Sequence, residues 1–316
     1  MRVSVRLIDA ATDANLWAHR FDEHLRDVFD LQDQLTAELI GAIAPKLEQF
    51  EIERVKNTPH ELLDAYTCTL RGMGSLYHWT RGGIAEALRL FHRAIELDPE
   101  CAPAHAMGAY CYVQRKSYGW FVDRQHEAVE ATLLAHRATE LAKDDAVALS
   151  KSAHAIASVG GDVDSGAVFI EQALRLNPNT AAAWYVSGWL KLFLGKPDPA
   201  IEDLGRALRL SPFDSLSFKV GAAIAYAHFF AGRYEEACAA AETSLRERPN
   251  YLTAVRAAAA SHALAGRPDK ARQLLARMRQ IDPKLRLSNL EALLPLRRPV
   301  DLNRWSDALQ RAGLPE

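Results

Sequence analysis

The sequence is poor in features that staple, span or anchor a chain. Its 316 residues hold four cysteines, Cys68, Cys101, Cys111 and Cys238, with no CxxC pair among them. That excludes a disulfide framework and a zinc ribbon, leaving the thiols as small core residues of a protein expected in the reducing cytoplasm. No apolar run approaches the about 18 residues of a membrane span. The richest stretch, Ala222 to Ala231, is short and contains His228. The N-terminus reaches Asp9 and Asp13 without an apolar signal core. Net charge is only −2, so no global field draws nucleic acid or an anionic membrane. Against 17 glycines and 14 prolines stand 53 alanines, a balance that favours closely packed helices. The length fits two domains or one long repeat array.

What the chain does have is periodicity. Pro99, Pro178, Pro212, Pro249 and Pro283 are separated by 79, 34, 37 and 34 residues. The long gap hides one more unit, whose proline position falls on Asp144. Gly161, Gly195, Gly232 and Gly266 run in phase, each 17 residues before a proline. Glycine ends a first helix where the backbone turns left-handed, and proline stops a second one. Between them, Ala87-Phe91-Ala94, Ala200-Leu204-Ala207 and Ala271-Leu275-Met278 form i, i+4, i+7 apolar stripes. Such hairpins bury their faces only by stacking on one another.

The period, with Trp184 and Gly188 in a first helix and Ala200, Leu204, Ala207 and Pro212 in a second, resembles the tetratricopeptide repeat. The resemblance implies an all-α superhelical solenoid with six units at 68–101, 102–146, 147–180, 181–214, 215–251 and 252–285. The second unit is stretched to 45 residues, an excess placed at the turn around Tyr118-Gly119-Trp120-Phe121. Gly166 departs from the alanine the third unit calls for, and Ala241 and Ser244 weaken the fifth.

Three segments follow: 1–57, an α/β remnant; 58–285, the array; 286–316, a helical cap carrying Leu290, Leu293, Leu294, Trp305, Leu309 and Ala312. Val3, Val5 and Leu7 alternate with polar neighbours and predict a strand, with a returning strand over Leu16 to Phe21. A long helix is predicted from Leu31 to Lys56, kinked at Pro45. Leu7-Ile8-Asp9-Ala10-Ala11-Thr12, Leu16-Trp17-Ala18 and Val28-Phe29-Asp30-Leu31-Gln32-Asp33 look like the end of a TolB-like segment. That segment precedes such repeats in bacterial signalling proteins, behind a class III adenylate cyclase or a winged-helix domain. Neither domain is in this sequence, so the resemblance assigns no catalytic or DNA-binding residue here.

A search for chemistry finds none. Gly188 to Gly195-Lys196 has the wrong spacing for a phosphate loop, and His60-Glu61 and His126-Glu127 lack the second histidine of a zinc helix. Gly72-Met73-Gly74-Ser75 sits within a predicted helix and is no nucleophile elbow. Asp22, Glu23, Asp27, Asp30 and Asp33 suit the approach to a helix N-terminus better than a cation site. Arg267, Lys270, Arg272, Arg277, Arg279, Lys284, Arg286, Arg297 and Arg298 read as a solvated face or a contact for an acidic partner rather than for nucleic acid. No enzyme activity, cofactor or metal is expected.

The functional promise lies in a groove. In a tetratricopeptide superhelix the first helices line the concave surface. Tyr185, Trp189 and Phe193 recur every four residues on one, and Tyr226 and Phe230 on the next, with Lys151, Lys219 and Arg256 on adjoining first helices. Exposed aromatics with basic neighbours suit a protein or peptide partner carrying acidic residues. Beside this stands the alternative that the rings pack between helices or against the chain's own ends. The asparagines with which relatives clamp a C-terminal carboxylate are missing at the matching places. The expected function is non-catalytic protein–protein interaction. Its alternatives are the regulatory half of a class III adenylate cyclase and the effector-sensing half of a winged-helix transcription regulator.

Overall fold

The computed structural model of the chain describes residues 2–8, 13, 15–22, 43, 46–56, 59, 64–211 and 217–316. Two strands, β1 (Arg2–Ile8) and β2 (Asn15–Asp22), pair antiparallel with Val3 opposite Phe21 and Leu7 opposite Trp17. The register slips between Leu7 and Ile8, at the turn-rich connection. Ser4, Arg6 and Ile8 are exposed, as the alternation predicts for the polar face. Of the predicted long helix, 46–55 is helical (α1). Its start and the Pro45 kink lie outside the described residues, as do Glu23, Asp27, Asp30, Asp33 and Pro212.

Six helical hairpins follow. They are α2 (Ala65–Leu76) with α3 (Arg81–Leu97), α4 (Ala102–Ser117) with α5 (Arg124–Leu141), and α6 (Ala146–Ser158) with α7 (Val163–Leu176). Then come α8 (Ala181–Phe193) with α9 (Pro197–Leu210), α10 (Ser217–Phe230) with α11 (Tyr234–Glu247), and α12 (Leu252–Leu264) with α13 (Pro268–Ile281). A 3-10 turn at Leu287–Asn289 leads to α14 (Pro299–Ala312). The even-numbered helices of the array touch one another along an inner layer, with the odd-numbered ones outside. The fold is the tetratricopeptide superhelix that the period implies.

The sequence markers have structural causes. Gly161, Gly195, Gly232 and Gly266 all adopt positive φ, between 72° and 81°, in the turns between paired helices. In the first hairpin Trp79 takes that place with φ 51°, a conformation costing about 1–2 kcal/mol for a side-chain-bearing residue. Gly188 is there for contact: a Cβ would sit 2.6 Å from Leu204 Cγ. Gly166 is a departure with the same reason, since a Cβ would come 2.8 Å from Ala157.

The stretched second unit differs from its prediction. The turn at 118–123 accounts for only part of the excess. The rest lies in the helices, α4 having 16 residues and α5 having 18 against 13 and 14 in the third hairpin. The lengthened end of α4 crosses the concave space. The Ser117 carbonyl accepts from Arg256 Nη1 at 3.4 Å, and Tyr118 packs 5.4 Å from Tyr251. The second hairpin therefore touches the sixth, and the superhelix closes on itself.

Candidate functional site

The inner helices bring the predicted aromatics together. The Trp189 ring lies 5.7 Å from Phe193 and 5.6 Å from Tyr226, and Tyr226 lies 6.1 Å from Phe230. They do not form an exposed surface. Trp189, Phe193, Tyr226 and Phe230 are 5%, 2%, 1% and 6% exposed, and Lys219 and Arg256 are 2% and 4%. Only Tyr185 and Lys151 are half-buried.

The expectation of an open aromatic groove is corrected because the chain fills it. Besides the end of α4, the C-terminal segment folds back into the concavity. Trp305 packs edge-on against Tyr226 at 6.0 Å, the Arg297 amide donates to the Phe193 carbonyl, and Arg304 donates to that of Phe230. Burying these rings removes apolar surface that would otherwise face water. Residues 286–316 thus do more than cap an edge.

Among the described residues, two cavities adjoin here and share Tyr185. The first, of about 40 Å³, is lined by Lys116, His154, Trp189, Arg256 and Trp305 among others. The second, of about 70 Å³, is lined by Tyr110, Lys151, Ser217 and Lys219 among others. Seven of the eight predicted groove residues line one or the other. The eighth, Phe230, packs on Phe229 at 5.2 Å instead.

Positive charge dominates both cavities. Lys219 Nζ sits 3.2 Å over the Trp79 ring and donates to Gln114 at 2.8 Å. The strained turn at Trp79 is thereby held by a cation over its face. Lys151 Nζ stands 4.1 Å over the Tyr110 ring. Lys116 donates to the Ser158 carbonyl, and burial, aided by Arg124 and Arg256, pushes its pKa down to about 7. Burial together with Lys151, Lys219 and Lys116 pushes His154 down to about 3, so its imidazole is neutral. Arg256 Nη2 pairs with Asp282 at 3.3 Å.

Lys116, Ser117 and Trp305 joined this site without being predicted in it. The sequence signal was the long second unit, whose extra turn carries Lys116 and Ser117. Trp184 donates to the Pro178 carbonyl at 2.7 Å with Arg206 over its ring. Four of the basic C-terminal side chains have acidic partners within the chain: Arg267 with Glu235, Lys270 with Glu242, Arg272 with Asp269, and Arg297 with Asp164.

One constellation was missed altogether. Cys238 Sγ lies 3.4 Å from His262 Nδ1, and His262 Nε2 lies 3.0 Å from Glu242. This is the order of a nucleophile, a base and an orienting carboxylate. Yet Cys238 and His262 are both buried, and burial pushes the thiol up to about 11. A buried neutral thiol is inert, so the three residues tie α11 to α12. Among the described residues no group of three or more His, Cys, Asp or Glu side chains could hold a metal ion, and no helix is long and apolar enough to cross a membrane.

Residues 73–119, 181–214 and 230–294 match tetratricopeptide-repeat models. A putative adenylate cyclase 3 of Rhizobium meliloti (strain 1021) is 34% identical over 106 residues, covering 34% of this chain and 18% of that protein. The transcriptional regulator HilA of Salmonella typhimurium is 27% identical over 150 residues, covering 48% of this chain and 27% of that one. The matched region therefore spans less than a third of either relative. Among solved structures, a monomeric IFIT1 mutant with m7Gppp-AAAA has a TM-score of 0.60 at 15% identity, covering 84% of this chain and 64% of that one. The APC/C hetero-tetramer Cut9-Hcn1 gives 0.57 at 18% identity, covering 85% of this chain and 46% of the other. At these identities the two structures show the fold alone.

Proposed function

We propose that this chain is a non-catalytic protein-interaction module that receives an acidic partner segment at the mouth framed by Lys151, Tyr185 and Lys219. The observation that supports it is the repeat superhelix, with a cationic cavity among whose lining residues Lys151 and Tyr185 are half-buried rather than sealed. Lysines over aromatic faces offer an acidic side chain both charge and a flat apolar wall. The test is a photo-crosslinking residue placed at Ala182, in the same cavity wall as Lys151, with a control at Leu133 on the exposed outer side of α5. Adducts at 182 that map to an acidic segment of one protein, and that Lys151→Glu abolishes without loss of helicity, are the expected result. Adducts at 133 alone would sink the proposal.

A second reading rests on the relatives. A cyclase and a transcriptional regulator differ in activity yet share stretches with this chain. We infer that the shared stretch is a control module, so that the array acts on whatever domain a longer polypeptide carries. An immunoblot of the native protein tests this. A band clearly above 35.0 kDa supports it, and a band at 35.0 kDa overturns it.

A further inference from the structure

Trp305 is fully buried, yet its indole Nε1 has no hydrogen-bond partner. The same holds for Arg256 Nε and His154 Nδ1. Trp189 Nε1 also forms no hydrogen bond, although the Tyr185 hydroxyl interacts with it. All four side chains, carried by α6, α8, α12 and α14, line the first cavity together with Lys116. An unmade buried donor is costly, so three in one cavity wall, the N–H groups of Trp189 and Trp305 and the Arg256 Nε–H, call for a common partner.

The chemistry of the wall specifies that partner. Indole and guanidinium N–H groups only donate, and an ammonium only donates. Of the hydroxyls lining the cavity, Ser117 donates to the Val113 carbonyl, Ser158 to that of His154 and Thr253 to that of Ser117. Among the described residues no carboxylate lines the cavity, and Asp282 engages Nη2 of Arg256, not Nε. Arg256 holds its charge against Asp282, while the Lys116 amine, bonded to the Ser158 carbonyl, has no carboxylate beside it among the described residues, so a proton on it is expensive there. Water supplies acceptors but no compensating charge. A volume of about 40 Å³ holds roughly three waters or one tetrahedral or planar oxyanion.

We propose that this cavity binds a small oxyanion, the carboxylate or phosphate group of a small molecule, through the indole N–H groups of Trp189 and Trp305, the Arg256 Nε–H and the Lys116 ammonium. The site goes beyond the interaction reading and does not rest on it. Its closure depends on α14, so occupancy strengthens the seat of the C-terminal segment in the concavity. An anion beside Lys116 draws a proton onto that amine just above neutral pH.

The test is calorimetric titration of the full 316-residue chain with inorganic phosphate, sulfate, acetate and malonate at constant ionic strength, alongside tryptophan emission. One of these probes is expected to bind at one site per chain and shift the emission. Its heat should vary with the ionisation enthalpy of the buffer as Lys116 takes up a proton. Phosphate without the carboxylates identifies a phosphate ligand, and the reverse a carboxylate. Trp305→Phe keeps the ring and removes the donor, and Lys116→Met keeps the stem and removes the charge. Each should weaken binding about tenfold or more, the worth of one charge-assisted bond. No saturable binding of any of the four by the native chain overturns the proposal. So does an affinity that both variants leave unchanged.

Discussion

The two edges of the superhelix are finished by different physics. At the N-terminal edge α1 is fastened to α2 largely by polar bonds: Arg71 donates to the carbonyls of Val55 and Lys56 at 3.0 and 2.9 Å, and Tyr77 donates to Glu48 at 2.6 Å. Of the side chains described there, Val55 alone is buried. At the C-terminal edge α14 buries Trp305, Ala308, Leu309 and Ala312, each at 0% exposure, and the preceding segment adds Leu290 and Leu293. A solvent-accessible hydrogen bond is worth about 0.5–1.5 kcal/mol net, while a buried aromatic is worth several times that. Among the described residues, one cover is held by polar bonds and the other is part of the core. The difference also explains the concave face, since only an apolar cover gains by reaching into it.

The largest effect that breaks this contrast is Trp305→Ala. Removing a fully buried indole should destabilise the C-terminal hairpins by about 3–5 kcal/mol. Guanidinium unfolding should split into an early C-terminal step and a later one, as repeat arrays allow. Hydrogen exchange should rise at Tyr226 and Phe193 as the concavity opens. A loss below 1 kcal/mol with a single transition would mean that α14 is as dispensable as α1.

Much of this was legible in sequence, for local reasons. The turn glycines announce left-handed backbone, and Ala200, Leu204 and Ala207 announce a buried stripe, so the six hairpins and the inner helices follow from single positions. The curvature does not. Whether the second hairpin meets the sixth depends on summed rotations between neighbours, to which no one residue gives a signal. The groove aromatics therefore come together as their spacing suggests, and of the two readings open to them the packed one holds: Trp189 and Tyr226 face the concavity, but Trp305 and the end of α4 occupy it. Those same contacts turned a surface expected to grip a peptide into a pair of cationic cavities. Lys116 was unreadable because its burial arises only when the superhelix closes.

A smaller effect sharpens the comparison at the other edge. Arg71→Met keeps the aliphatic stem and removes the donors to Val55 and Lys56. Two partly exposed charge-assisted bonds set the loss at about 1–2 kcal/mol. Because the cover is polar, the change should appear as faster amide exchange in α1 and the start of α2, leaving the main unfolding midpoint in place. A shift of that midpoint as large as the one caused by Trp305→Ala would mean that the two edges share one cooperative core.

The smallest effect separates an edge hairpin from an interior one through the same chemical group. Asp64 caps α2 by accepting from the Thr67 amide at 2.7 Å, and Asp162 caps α7 by accepting from Ser165 at 3.0 Å. Those bonds hold both carboxyls below their ordinary pKa. A folded pKa below the unfolded one gives stability that is complete above the unfolded value. It is lost as pH falls through the folded value. Replacement of either residue by alanine should cost about 1 kcal/mol at neutral pH. That difference should vanish in acid, once the native carboxyl is protonated too. The two variants should part in where the loss is felt. Opening α7 disturbs packed neighbours on both sides, so Asp162→Ala should lower the global midpoint. α2 has the array on one side only, so Asp64→Ala should register chiefly as local exchange in the first hairpin. Equal midpoint shifts would show that the polar cover at the N-terminal edge couples as tightly as the apolar one.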